Sequence, residues 1–219
     1  MKAVVKHIKD DLGSTVDSED NVVRMILIEQ AVDAALEIEE PVSRSYAISD
    51  CILAILDFAR ETSNEALMAR VETLFEEVIN KGAQARTLSY IAVVLASFGQ
   101  EIEAEKSITK AIQIASEIKD DFDRRDAFLD IATSAGDIFY LTTDESQLED
   151  ALQFADQLTK GQRAYLFGYL ASLLPRQKGA ELLKEALKIA DEITDPITRS
   201  KVYLELANLT NNLQDEPSL

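Results

Sequence analysis

The 219-residue chain carries 22 basic and 40 acidic side chains, a net charge of -18, and is 47% apolar with 7 glycines, 4 prolines and no tryptophan. That content can fill a sizeable core, which excludes a disordered polymer. The acidity opposes binding to nucleic acid or to an anionic membrane surface, since the densest basic cluster is the pair Arg124-Arg125.

No apolar stretch reaches the roughly 18 residues of a transmembrane helix. A single cysteine leaves no internal disulfide, and the charged N-terminus lacks the apolar run of a secretory signal, so a cytoplasmic protein is expected. The charge also has a plainer role, keeping an extended array soluble and apart from its copies.

In chain order, residues 1–18 read as an N-terminal segment in which Val4, Val5, Ile8 and Leu12 share one face of a degenerate helix. Residues 19–213 read as a single helical-repeat domain and 214–219 as a frayed tail. Helices are predicted at 19–39, 42–60, 64–80, 83–98, 101–119, 121–138, 145–159, 161–174, 176–194 and 196–213.

Two apolar phrases alternate along these helices. One runs Ala111-Ile112, Ala115, Ile118, then Ala151-Leu152, Ala155, Leu158, then Ala186-Leu187, Ala190, Ile193. Looser copies are Val71, Leu74, Phe75, Val78 and Ala31, Ala34-Ala35, Ile38, so a helix-ending apolar residue is expected at 38, 78, 118, 158 and 193. The other phrase begins at Ile48, Leu88, Phe128, Phe167 and Tyr203 and keeps the i, i+3, i+4, i+7 spacing of one helix face. Self-similarity at this period predicts stacked helix pairs, none of which can bury its apolar face alone.

The connections carry capping chemistry. Asp195-Pro196 reads as an N-cap followed by proline at the first helical position, Asn80 and Asp120 as equivalent caps, with Glu40-Pro41 and Lys160-Gly161 in the same slot. Arg44, Arg124, Arg163 and Arg199 each stand four residues before the second phrase, with Gln84 in the remaining frame. Such a ladder suits either bidentate reading of a carboxylate ligand or a tie to the end of the preceding helix, and its place beside helix C-termini favours the tie.

Catalytic chemistry is sparse. His7 is the only histidine, Cys51 falls on a core position, and the glycines at 82, 99, 136, 161, 168 and 179 form no phosphate-cradling string. Asp120-Asp121 and Asp123 with Glu117 lack the glycine and distal glutamate of a calcium loop and read as an acidic capped helix start. No catalytic residue, cofactor or metal site is expected, and the chain does not read as an enzyme.

Leu88, Ile91, Ala92, Leu95, Ala104, Ile108 and Ala111, with Gly99 in the turn, have a spacing that resembles the tetratricopeptide repeat. The resemblance covers about residues 44–213, with longer helices than the family's roughly 34-residue unit and four residues lost around Pro175 in the fourth pair. It implies an all-α, right-handed α-solenoid of about five helix-turn-helix repeats acting as a protein-interaction scaffold. In that family the first helices line a concave groove. Carried over, its lining here is Tyr46, Asp50, Asp57, Arg86, Asp130, Asp137, Tyr165, Tyr169, Lys201, Glu205 and Asn208, which lacks the family's cationic clamp for acidic C-termini.

An acidic, tyrosine-bearing groove implies a protein or peptide partner that is basic or mixed apolar and basic. The alternative is a structural homo-oligomer assembling through Phe139, Tyr140 and Leu141, three consecutive apolar residues where the earlier repeat has its turn, unless the helix runs on and tucks them against its own repeat, as single surface apolar residues commonly do. A metal- or small-molecule-binding enzyme is the least supported reading.

Overall fold

A computed structural model describes residues 19–210, and its regular structure is helical, with no strand among the described residues. The expectations for residues 1–18, including His7, and for residues 211–219 lie outside the described residues. Among the described residues ten α-helices follow one another: α1 Glu19–Leu36, α2 Pro41–Thr62, α3 Met68–Phe75, α4 Lys81–Ser97, α5 Glu101–Ser116, α6 Asp121–Thr142, α7 Glu145–Phe154, α8 Lys160–Leu173, α9 Arg176–Asp191 and α10 Pro196–Thr210. A 3-10 turn, Glu65–Leu67, leads into α3, and another, Ala155–Gln157, follows α7. None of the described helices is long and apolar enough to cross a membrane.

Packing divides the chain into two compact units, Met1–Glu117 and Ile118–Leu219. In the first, α2 packs against α1, α3 and α4, and α4 pairs with α5. Because α2 is covered on several sides, Ile48, Ile52, Ile55, Leu56 and Phe58 have no exposed surface. Each such side chain contributes about 1.5–3 kcal/mol on burial. The hydroxyls at the α2/α4 crossing are satisfied by each other, Ser49 Oγ to Thr87 Oγ1 at 2.8 Å.

In the second unit α6 pairs with α7 and α8 with α9, while the first helices α6, α8 and α10 lie successively against one another. Its core gathers Ala132, Ala151, Ala164, Leu166, Leu170, Ala186 and Leu206. Ala92 and Ala111 in the first unit, and Ala132 and Ala151 in the second, are fully buried, as close helix approach requires.

The connections explain where the sequence reading over-ran. The second helices stop at Leu36, Phe75, Ser116, Phe154 and Asp191, not at 38, 78, 118, 158 and 193. The apolar residue at each of those places follows the helix as a plug, with Val78, Ile118 and Ile193 buried. Termination is forced by the caps that come next, because Glu40, Asn80, Asp120 and Thr159 adopt extended backbone. Glu40 accepts from Val42 and Ser43, Asn80 from Ala83 and Asp120 from Phe122 and Asp123.

Thr159, not Lys160-Gly161, caps α8, in a reciprocal capping box with Gln162. Phe139, Tyr140 and Leu141 follow the second of the two readings, because α6 runs on through them to Thr142, past the expected end at 138, and is capped by Thr143, whose φ is 60°.

The α4/α5 turn uses Gly99 at φ 74°, whereas the α8/α9 turn is shortened to the extended pair Leu174 and Pro175. Proline disfavours the helical conformation in the residue before it, which stops α8 without a left-handed residue. This is the physical form of the four residues missing from that pair.

Candidate functional site

The arginine ladder resolves first. Arg124 Nη1 donates to the carbonyl of Ile118 at 3.0 Å, Arg199 Nη1 to that of Ile193 at 3.2 Å and Gln84 Nε2 to that of Val78 at 2.7 Å. In each case the side chain reaches back six residues to the plug and satisfies a carbonyl the helix leaves open. Arg163 stands one residue nearer its plug, Leu158, and instead pairs with Asp156 at 3.2 Å and lies over the Phe167 ring. At these four positions the side chain reaches back to the connection that precedes its own helix, whereas the buried Nε of Arg44, the ladder's first member, has no hydrogen-bond partner.

The eleven expected groove residues fall into two sets. In the first unit Arg86 Nη1 meets Asp50 Oδ1 at 2.8 Å, and Asp57 accepts from the Tyr90 phenol and from Arg60 Nη2 at 3.3 Å. Tyr46 lies against Gly82, where a Cβ would fall 2.6 Å from the phenol oxygen. Asp50 and Asp57 are therefore engaged across and along α2 and α4. Tyr90, missed in the sequence reading, occupies the same place in its repeat as Tyr169, and that correspondence was the available signal.

In the second unit a groove of about 660 Å³ runs over α6, α8 and α10. It includes Asp130, Tyr165, Tyr169, Lys201 and Glu205 of the expected set. The geometry is simple. Gln162, Tyr165 and Tyr169 of α8 and Thr198, Lys201 and Glu205 of α10 each follow the i, i+3, i+7 spacing of one helix face, as do Asp130, Thr133 and Asp137 of α6. Packing of the three helices side by side sets these rows next to one another. Asp137 joins the groove wall through Tyr169, whose phenol donates to it at 2.5 Å. Asn208 is exposed farther along α10 and does not line the groove.

The floor is aromatic and the walls are acidic. The Tyr165 and Tyr169 rings stack, with centroids 6.2 Å apart and planes 19° from parallel. Burial pushes the Tyr165 phenol above its ordinary value, and the charges of Glu205, Asp130 and Asp137 push the same way. Three carboxylates thus act on one ring from α6 and α10. Below them, Gln162 Nε2 donates to Asp126 at 2.6 Å, which tempers the upward push that burial and Asp123 exert on that carboxyl.

Thr133, Thr159, Gln162 and Thr198, the polar members of the lining outside the expected set, come from the same helix faces or from the α8 cap. A second groove of about 380 Å³ opens in the first unit between α3, α4 and α5, lined by Met68, Phe75, Leu88, Ile91 and Leu95 among others. Tyr140 and Leu141 on α6 are 50% and 44% exposed, while Phe139 is half-buried.

Among the described residues no group of three or more histidine, cysteine or carboxylate side chains is placed to hold a metal ion. The acidic run at the start of α6 is used locally, Asp120 as cap and Asp121 against Arg124 at 2.5 Å. Cys51 is buried, and burial, reinforced by Asp50 and Glu29, raises its thiol above the ordinary value, away from the thiolate a nucleophile needs. No family model matches the chain, and no curated protein or solved structure is significantly similar to it.

Proposed function

We propose that the chain is a non-enzymatic helical-repeat interaction module that receives a basic, or mixed apolar and basic, segment of a protein partner in the groove of its second unit. The supporting observation is the alignment of three i, i+3, i+7 rows, from α6, α8 and α10, on one groove holding a stacked tyrosine pair and flanked by Asp130, Asp137 and Glu205. Rigid amphipathic tyrosines are the residue type that anchors protein interfaces. Like charge focused in a concavity draws a segment of opposite sign. A right-handed, tetratricopeptide-like solenoid and a cytoplasmic setting belong to the same proposal.

The test is fluorescence anisotropy with a labelled library of Lys/Arg-containing peptides against the wild type and Asp130→Asn/Glu205→Gln. Wild-type binding should weaken as salt rises, because exposed charges are screened over about 8 Å at physiological ionic strength. The double variant should bind several-fold more weakly. Equal binding by both proteins would overturn the groove assignment.

A second reading, a homo-oligomer through the end of α6, is favoured by the exposure of Tyr140 and Leu141. Sedimentation of Tyr140→Ser/Leu141→Ser against the wild type separates it: loss of an oligomer in the variant supports self-assembly.

A further inference from the structure

We infer that the acidic mouth beside Tyr165 is a subsite for one arginine side chain of the partner segment; this deepens the groove reading above and rests on it. The occupant follows from charge, shape and rigidity.

Charge fixes its sign. The groove lining holds Asp130 on α6 and Glu205 on α10, one on each side of α8, with Asp137 bonded to Tyr169 of the lining and Lys201 as its cation. All three carboxylates act on the Tyr165 phenol, so a side chain laid on that ring enters the field of each. An anionic or neutral side chain gains nothing there.

Shape selects guanidinium over ammonium. Tyr165 is half-buried and stacked nearly parallel to Tyr169, so its ring offers a flat surface with an electron-rich face. A guanidinium is planar, stacks on such a face and presents a fork of donors that can address carboxylates on two sides, whereas an ammonium is a compact, strongly hydrated point charge. The stacked arrangement recurs inside this unit, where the Arg163 guanidinium lies over the Phe167 ring with its carbon 5.6 Å from the centroid.

Rigidity keeps the subsite in place before binding. Tyr169 is held by Asp137 at 2.5 Å and Gln162 by both Asp126 and the Thr159 cap, so the residues flanking Tyr165 on α8 have fixed partners. A preorganised floor avoids the ordering cost that a flexible one would incur on binding. The groove's 660 Å³ exceeds the room one side chain needs, which leaves space for apolar neighbours of the arginine against Leu129 and Val202 of the same lining.

The experiment uses three blocked heptapeptides with leucine and glycine flanks that differ only at the centre, arginine, lysine or citrulline, titrated into the full chain and followed by NMR of the tyrosine rings. The arginine peptide should shift Tyr165 and Tyr169 and bind about ten-fold more tightly than the lysine peptide, as a guanidinium-aromatic contact of ordinary strength implies. The citrulline peptide, isosteric and uncharged, should lose binding. Tyr165→Leu should abolish the preference for arginine over lysine while general attraction to basic peptides persists. Equal binding of arginine and lysine peptides by the wild type, with the ring shifts intact, overturns the arginine subsite and leaves the groove reading standing. Absence of ring shifts with every basic peptide overturns both.

Discussion

The phenol of Tyr169 donates to the carboxylate of Asp137 at 2.5 Å, 32 residues away on the preceding first helix. Tyr90 meets Asp57 in the same way across a separation of 33 residues. A half-buried tyrosine needs a partner for its hydroxyl, and a carboxylate on the neighbouring first helix supplies a charge-assisted one. The pairing thus recurs wherever the repeat places tyrosine opposite aspartate, and it locks adjacent first helices in register.

Removing either hydroxyl should therefore cost stability without changing the fold. Tyr169→Phe and Tyr90→Phe are each expected to lose on the order of 1 kcal/mol, read by urea unfolding, with unchanged helical circular dichroism. Unfolding midpoints equal to wild type would show that the bonds are incidental.

The tie from Arg124 to the carbonyl of Ile118 can be separated from its charge, because Gln84 makes the same reach to Val78 at 2.7 Å without one. Arg124→Gln should keep most of the stability, and Arg124→Leu should lose about 0.5–1.5 kcal/mol by leaving the carbonyl without its donor. If both variants lose equally, the charge of Arg124, through Asp121, is what matters.

Much of this was legible in sequence because a helical repeat writes its packing as a period. The alanines at 92, 111, 132 and 151 and the caps at Asn80 and Asp120 are local signals, and the structure shows them buried or capping as read. Helix ends were misplaced because a plug such as Val78 satisfies the apolar period although it stands outside the helix, which only the following cap reveals. The Thr159 cap was missed in favour of Lys160, although Thr159 and Gln162 carry the capping-box spacing. In the second unit each helix contributes one row, which is why Asp130, Tyr165, Tyr169, Lys201 and Glu205 come together in one groove, whereas Asp137 reaches it through Tyr169 and Asn208 does not line it. In the first unit the same repeat positions are occupied by groups that pair with each other, Arg86 with Asp50 and Tyr90 with Asp57. Position within a repeat says which way a side chain faces, not whether a neighbour consumes it.

Two glycines should respond to alanine for different reasons. At Gly179 a Cβ would come 2.5 Å from the backbone oxygen of Ala171, which cannot swing aside as a side chain can. Gly179→Ala should force α9 away from α8 and cost about 1–3 kcal/mol. At Gly99 nothing lies within 4 Å, but φ is +74°, so Gly99→Ala should cost about 1–2 kcal/mol through backbone conformation alone. Gly99→Asn, which tolerates that conformation, should recover part of the loss, whereas no substitution of that kind should rescue position 179. Calorimetric unfolding of the three variants checks this, and a neutral Gly179→Ala would rule out the close α8/α9 approach.

Stability should fall on the acid side, and the caps say through which groups. The backbone N–H of Ser43, followed by its hydroxyl and the Val42 N–H, holds the Glu40 carboxyl below its ordinary value. The Thr198 hydroxyl and then its N–H do the same for Asp195. Glu61, bonded by Arg24, and Glu192, bonded by Lys160, are lowered likewise. A carboxyl lowered in the folded state binds its proton more readily when unfolded. Its contribution is complete above the ordinary carboxylate value of about 4 and is lost as pH falls through that value toward the folded one. Asp126, raised by burial, runs the other way and partly offsets the loss. Asp195→Asn should cap α10 nearly as well at pH 7 yet remove one titrating group. Urea unfolding from pH 7 to pH 3 should accordingly show a shallower acid decline in the variant than in the wild type. Parallel profiles would mean that Asp195 is not ionisation-linked to folding, and that the Thr198 contacts contribute no more to the charged cap than to the neutral one.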